Sequence, residues 1–362
     1  MSDNTIYLDD WNTVFREIPQ NINDNTYKVI NSNNYYVALD EYAELKEKLA
    51  LITKNVGDFD FINHATGDQA VITAITLFRK YFGIKNLYIA KQAYHGITIK
   101  SFREGIFSFK EISIFELEIE TLLGSLDKCC KNSMLIIEPF LFYAKYGETG
   151  IDKVRAIVSK AKKIGMLVML DETRSGVFST GNFLFTEKCL PIDFDCLCFS
   201  KGLALGTITS VLTIRKGVLP DEIIKKEDTL KSCMAISKVA MQRSNDLLDY
   251  YLNDMDSFNK KMIGISEKLK FAFSPFILYS LVKQVNIMGM SCVFVFDNNI
   301  KKSQLKFLWL YMISKKIEVR FTEDNLWFFS FALDSSNEEI QRVRDALQDA
   351  IKQVDFNIHN IL

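Results

Sequence analysis

Met166-Leu-Val-Met-Leu-Asp171-Glu172 is an apolar run that ends in two carboxylates, and Cys196-Leu-Cys-Phe-Ser200-Lys201-Gly202 is a second run that ends in a lysine. Runs that are uniformly apolar, rather than alternating, suit strands covered on both faces. Met134-Leu-Ile-Ile137 is another. Working outward, β-rich runs at 59–63, 86–90, 133–138, 166–171, 196–200 and 209–214 are separated by stretches such as 69–82 and 151–164, whose apolar residues recur every three or four positions. Strands alternating with helices predict crossover units and a mostly parallel sheet, an α/β class. Ligands of such sheets sit beyond the carboxyl ends of the strands, so the polar residues at those ends carry the functional reading.

The chain has 362 residues, 48% hydrophobic and 25% charged, which is globular composition with room for one large domain and a smaller companion. Lys plus Arg total 44 against 45 Asp plus Glu, so there is no electrostatic footprint for nucleic acid or an anionic membrane. No apolar run approaches the roughly 20 residues that span a bilayer. The start, Met1-Ser-Asp-Asn-Thr5, is polar and reads as no secretory signal. Together with an odd set of 7 cysteines it predicts a reduced, cytoplasmic protein. Cys196-x-Cys198 lacks the usual spacing of a metal pair and reads as buried structural thiols.

Residues 1–58 are polar and weakly periodic, with one helical stretch near 40–51. Past Asp228 the pattern turns to long helices at 232–252 and 256–271, strand candidates at 291–296, 317–321 and 326–331, and a last amphipathic helix over 336–354 that opens with Ser336-Asn-Glu-Glu. The expected division is an N-terminal segment, 1–58, packing with the small domain; a large domain, 59–245; and a small C-terminal α+β domain, 246–362.

Four signals fall at strand ends. Thr66-Gly67-Asp68 opens a helix, where free backbone N–H groups and the positive dipole end can hold a phosphate, or where Thr66 simply caps the helix. Tyr94-His95-Gly96 offers a ring that can stack on a planar ligand or pack in a loop. Asp171-Glu172 can bind a metal, act as acid and base, or hold a protonated ring nitrogen. Lys201 is either a surface snorkel or an amine placed for a Schiff base. Together these four are the parts that hold pyridoxal 5'-phosphate, with the lysine as covalent anchor and the carboxylate keeping the pyridine nitrogen protonated.

Across roughly residues 60–245 the chain also resembles the class III aminotransferases of the fold-type I pyridoxal-phosphate enzymes. The likeness rests on the spacing from Arg79 through Gly83 to Tyr94-His95-Gly96, the interval from Glu138-Pro139 to Asp171, the stretch from Asp171-Glu172 to Ser179-Thr180-Gly181, and Asp195 followed by Lys201-Gly-Leu-Ala-Leu-Gly206. The resemblance implies a mostly parallel central sheet flanked by helices, a smaller C-terminal α+β domain and a homodimer with shared active sites. It further implies that Lys201 forms the aldimine, Asp171 meets the pyridine nitrogen, Tyr94 stacks on the ring, and Thr66, Gly67 and Asp68 contact the phosphate. Glu138 and Arg174 join the cofactor-binding set, and Thr229 aligns with a threonine that reaches the neighbouring subunit's phosphate. Arg320 and Arg174 are the candidates for binding a substrate anion.

Three departures from the family bear on this. Asp68 stands where the family has Ser or Thr, and a carboxylate repels a phosphate unless its side chain turns away. Arg174 stands in place of a glutamine. After Glu138-Pro139 comes Phe140-Leu-Phe-Tyr-Ala-Lys-Tyr146, so the glutamate that gates a substrate-binding arginine is replaced by Tyr143, and the aromatic run lines either a pocket or the core. The early strand segment of the family has no counterpart here. His64 reads as structural, His359 as a solvated tail residue and Lys225-Lys-Glu-Asp228 as a solvated charge run. The expected activity is a pyridoxal-phosphate-dependent aminotransferase acting on small amine and oxo substrates, an oxo acid, aldehyde or ketone being the acceptor. The alternatives are an aminomutase, decarboxylase or epimerase on the same fold, or a catalytically silent relative that only binds a partner.

Overall fold

The computed structural model describes residues 5–8, 14–30, 39–106, 112–129, 131–235, 237–319 and 325–359. In chain order the strands are β1 (Ile6–Tyr7), β2 (Phe59–His64), β3 (Asn86–Ala90), β4 (Ser113–Leu117), β5 (Ser133–Ile137), β6 (Leu167–Glu172), β7 (Cys196–Phe199), β8 (Ser210–Arg215), β9 (Val282–Met288), β10 (Ser291–Phe296), β11 (Ile317–Glu318) and β12 (Leu326–Ser330). The helices are α1 (Gln20–Ile30), α2 (Leu39–Thr53), α3 (Gly67–Phe82), α4 (Ile97–Arg103), α5 (Leu122–Ser125), α6 (Pro139–Tyr146), α7 (Glu148–Lys163), α8 (Asp221–Ala235), α9 (Lys238–Asn253), α10 (Met255–Phe273), α11 (Lys302–Ser314) and α12 (Asn337–His359). Among the described residues no helix is long and apolar enough to cross a membrane.

The chain divides into a larger unit, residues 18–177 and 182–253, and a smaller one, residues 1–17, 178–181 and 254–362. The N-terminal segment is thus split between the two, because α1 and α2 pack on α9 of the larger unit. The smaller unit begins at 254 rather than 246, since α9 also packs against the turn that starts at Lys201.

The larger unit is built on a seven-stranded sheet in the order β2-β8-β7-β6-β5-β3-β4. Strands β3 to β7 pair in parallel, while β8 runs antiparallel to both β7 and β2. The carboxyl ends of β2, β3, β5, β6 and β7 therefore share one edge. The uniformly apolar β5 and β7 are buried along their whole length, as double-sided cover requires. One face is covered by α3, whose Ala70, Val71, Ala74 and Phe78 pack with Ile136, Met169, Cys196, Cys198 and Leu212. Phe140 and Tyr143 of α6 stack at 5.9 Å and meet Phe185 edge-on at 5.7 and 6.2 Å, so this aromatic run belongs to the core.

The smaller unit holds the antiparallel sheet β12-β10-β9 and the parallel pair β1-β11, with α10, α11 and α12. Ser336 caps α12 by accepting from the Glu339 N–H at 3.1 Å, the start that the sequence predicts. A single helix over 232–252 is not formed: the chain breaks between α8 and α9, ahead of Lys238. Asp228 is not part of a solvated run either, since its carboxylate accepts from Tyr42 at 2.7 Å and Lys46 at 3.0 Å.

Glu172, the second carboxylate of the decisive run, is consumed by the fold. Its side chain is wholly buried and accepts from the N–H groups of Phe185 at 2.6 Å and Thr186 at 2.7 Å and from the Thr186 hydroxyl, fastening the segment after the β6 loop. Burial pushes its carboxyl up to about 7 against the pull of these donors. A raised carboxyl favours the folded state most below its ordinary value and loses that contribution as pH climbs toward 7. The amount is about 3 kcal/mol at 1.36 kcal/mol per unit. Denaturant unfolding of the protein and of Glu172→Gln is therefore expected to show a stability gap that narrows between pH 5 and pH 7.5. A gap of constant size would mean that Glu172 does not titrate in this range.

Candidate active site

Parallel register sets Asp171 beside Cys198 and Glu172 beside Phe199, so Lys201 emerges just past the tip of β7, next to the tip of β6. Glu138 follows β5, whose Ile137 pairs with Leu170. The turn Thr66-Gly67-Asp68 follows β2, and Tyr94-His95 follows β3. The sheet thus gathers Thr66, Gly67, Asp68, Tyr94, Glu138, Asp171 and Lys201 along one edge, and the turn after β6 adds Arg174.

At the start of α3 the Thr66 hydroxyl accepts from the Gln69 N–H at 3.2 Å, and the Gln69 side chain accepts from the Ala65 N–H at 3.1 Å. Thr66 is a helix cap. The first-turn N–H groups of Gly67 and Asp68 have no partner within an α-helix and point out of its positive end, a ready anion cradle. Gly67 is required by close approach: a Cβ there would lie 2.8 Å from Thr173 Oγ1, in the turn after β6.

The Asp68 carboxylate turns away from this cradle. It accepts from the N–H of Thr98 at 3.0 Å and from its hydroxyl, capping the next helix, α4. Gly96 makes room for it, since with φ +98° a Cβ at this position would fall 2.1 Å from Asp68 Oδ1. The Asp68 anomaly is thereby explained: only its backbone faces the anion position. The Tyr94 ring is 42% exposed. Its loop is held by Arg103, which donates to the carbonyls of Ala93 at 3.1 Å and Lys91 at 2.8 Å.

Asp171 is the centre of the site and is 3% exposed. His95 Nδ1 lies 2.8 Å from its Oδ2, and its Oδ1 accepts from the Thr173 N–H at 3.0 Å and the Cys198 thiol at 3.4 Å. Burial alone would raise this carboxyl; the hydrogen bond and charge of His95, with the bonds from Thr173, outweigh it and hold Asp171 below the ordinary carboxylate range. A carboxylate so held only accepts, so Nδ1 of His95 carries the proton. Cys198 is kept a neutral donor, its thiol pushed well above its usual value by burial and then by the Asp171 charge.

Lys201 has φ +41°, in the left-handed region that non-glycine residues rarely adopt, and it starts a short 3-10 turn through Ala204. Leu205 follows at φ +47°, its carbonyl accepting from Arg243 Nη1 at 3.0 Å. Arg174 does not point to solvent: its Nε lies 3.5 Å from Oε1 of the buried Glu138. Thr229 stands on α8 but its side chain lies outside the described residues, as does the whole of Arg320. His64 is buried at the end of β2. Sequence reasoning missed His95 and Cys198 as partners of Asp171, and Thr98 as the partner of Asp68. The signal for Cys198 was in view, because parallel strands put it level with Asp171.

No protein-family model matches the chain. It is 27% identical over 176 residues to a protein of Aeropyrum pernix and 27% identical over 173 residues to one of Sulfolobus acidocaldarius, both described as a LysW-aminoadipate semialdehyde/glutamate semialdehyde transaminase. These matches take in 44% of this chain and 42% of each relative, so the matched stretch is less than half of the relatives' length. Among solved structures, an aminotransferase of Bacillus anthracis superposes with a TM-score of 0.76 at 16% identity, covering 95% of this chain and 87% of the other. A phospholyase from Arthrobacter, in complex with phosphoethanolamine, superposes with 0.79 at 15% identity, covering 97% and 91%. The chain shares the fold of these solved structures and, over the matched stretch, is similar to the transaminases of Aeropyrum pernix and Sulfolobus acidocaldarius.

Proposed function

We propose that this protein is an aminotransferase that uses pyridoxal 5'-phosphate to move an amino group between a small amine and an oxo acid, aldehyde or ketone. The observation that carries the reading is Asp171. It is a buried carboxylate held ionised by hydrogen bonds from His95, Thr173 and Cys198, and among the described residues no Lys or Arg nitrogen pairs with it. A carboxylate kept ionised at a strand tip suits the pyridinium N–H of a bound ligand as its partner.

The remaining residues fit the same group. The N–H groups of Gly67 and Asp68 suit its phosphate, and the Tyr94 ring suits one face of a pyridine. Lys201, set one strand from Asp171, suits the covalent anchor. When bound, the cofactor supplies an electron sink that lets the amino-bearing carbon of the substrate give up its proton. Lys201 Nζ would hold and move the proton of that carbon, acting as general base and acid. Asp171 holds the sink in its charged form throughout. Glu172 takes no part, since its carboxylate accepts from Phe185 and Thr186 within the fold.

The sites are proposed to be shared within a homodimer, with Thr229 serving the partner. Exposed apolar side chains support this: Tyr94 and Ile97 follow β3, and Ile208, 62% exposed, lies between the Lys201 turn and β8. A reduced, cytoplasmic setting is supported by the free, buried thiols of Cys189, Cys196, Cys198 and Cys292.

Purified protein is expected to show a visible cofactor absorption band that borohydride makes permanent on the peptide containing Lys201, and Lys201→Ala should lack it. A different labelled lysine would remove Lys201 from the centre of the scheme. Asp171→Asn is expected to keep the cofactor and lose roughly 10²–10³ in turnover, the scale of one preorganised charge contact. Near-native turnover would make Asp171 structural. Sedimentation of Ile208→Asp should show a shift toward monomer; an unchanged mass would exclude this surface from the dimer contact.

A further inference from the structure

Asp171 and Cys198 stand level on adjacent parallel strands and are buried, so bulk water serves neither. The donors around the carboxylate are unevenly shared. Oδ1 accepts twice, from the Thr173 N–H at 3.0 Å and the Cys198 thiol at 3.4 Å. Oδ2 faces His95 Nδ1 at 2.8 Å. An ionised carboxylate offers about four acceptor sites, two on each oxygen, so the oxygen with room for a further donor is Oδ2.

We propose that Cys198 is a positioning residue of the site: with Thr173 it occupies Oδ1 of Asp171 and so directs the ring N–H of a bound ligand to Oδ2, beside His95. This rests on the aminotransferase reading. A thiol suits the task, because an S–H is a weak donor that fills an acceptor site and leaves the carboxylate its charge for the ligand. It also stays a thiol. Burial, and then the Asp171 charge, push it well above its usual range, so no second anion forms beside the ligand. The Thr173 hydroxyl, 3.7 Å from Cys198 Sγ, extends the chain: with the S–H aimed at Oδ1, the hydroxyl donates to the sulfur. Cys189, Cys196 and Cys292 are also buried free thiols, and among the described residues they donate to no carboxylate, which makes them internal references.

Infrared spectra of the S–H stretch test the contact without turnover. The Cys198 band, identified as the one lost in Cys198→Ser, is expected below those of the three reference thiols. On loading with pyridoxal 5'-phosphate it should shift toward them without reaching them, because the ring N–H draws charge from the carboxylate while Oδ1 stays engaged. The low-field proton resonance of His95 Nδ1–H should move on loading, since Oδ2 is then shared. Cys198→Val fills the strand position without a donor. It is expected to weaken pyridoxal 5'-phosphate binding about tenfold, the scale of one hydrogen bond to a charged group, and to leave the His95 resonance less displaced. Cys198→Ser should restore both. Should Cys198→Val fail to fold, the wild-type thiol band and His95 resonance decide. A Cys198 band level with the reference thiols, a His95 resonance that ignores loading, a Cys198→Val protein with wild-type affinity, or a Cys198→Ser protein as weak as Cys198→Val overturns the role. A wild-type protein without the cofactor absorption band sinks the aminotransferase reading and the steering with it, and the thiol band of the cofactor-free protein separates that outcome from a failed contact between Cys198 and Asp171.

Discussion

The site is organised around one constraint, the burial of the Asp171 carboxylate as an anion. An ion this deep is tolerated only where hydrogen bonds satisfy it, and each donor comes from a different part of the larger unit. His95 arrives on the loop after β3, Cys198 from the middle of β7, and Thr173 from the turn that Asp171 itself begins. Each bond fixes something else. The bond from His95 sets its tautomer and orients the loop that displays Tyr94. The bond from Cys198 makes the register of β7, and so the position of Lys201, part of the same arrangement. Thr173 lies against Gly67, which seats the start of α3 beside the strand tip. Cradle, ring platform and lysine are thereby placed relative to a single charge.

Asp68 shows how a local rule can be broken without loss. A carboxylate in an anion cradle is unfavourable when it faces the ligand, yet the same residue at the second helical position leaves its N–H available. The side chain is drawn off by Thr98, and the space for it exists because Gly96 lacks a Cβ. The helix dipole of α3 still favours an anion, and the carboxylate contributes to the start of α4 instead. The residue that looks wrong in the sequence is compensated by Gly96 and Thr98 at the start of α4.

Much of this was legible in the chain. The uniform apolar runs named the inner strands, and their polar tips named Asp171 and Lys201, because a strand buried on both faces has no other place for a charge. The antiparallel insertion of β8 was not legible, since an apolar run carries no sign of direction. Nor was the fate of Glu172: two adjacent carboxylates on a strand point to opposite faces, and only the packing of residues 185–186 shows which one faces structure. The gap between α8 and α9 escaped notice because apolar spacing continues across it. Asp228 looked solvated for a related reason, its partners Tyr42 and Lys46 lying on α2, far away in sequence.

The backbone at Lys201 completes the argument. A lysine in the left-handed region costs about 1–3 kcal/mol and persists only where its surroundings overdetermine it. Here they do. Ser200, just before it, donates its hydroxyl to the Thr209 carbonyl at 2.6 Å, closing the loop onto the start of β8. Thr209 in turn donates to the Asn63 side chain at 3.0 Å, which ties the loop to β2. On the far side Arg243 of α9 holds the Leu205 carbonyl, where a second left-handed residue turns the chain back. The strain is local and its supports come from three separate elements, so the turn cannot relax without disturbing β2, β8 and α9 together. A surface lysine needs no such device. The fold thus fixes the Cα of Lys201 one strand away from the buried carboxylate of Asp171, as the proposed role of this lysine requires.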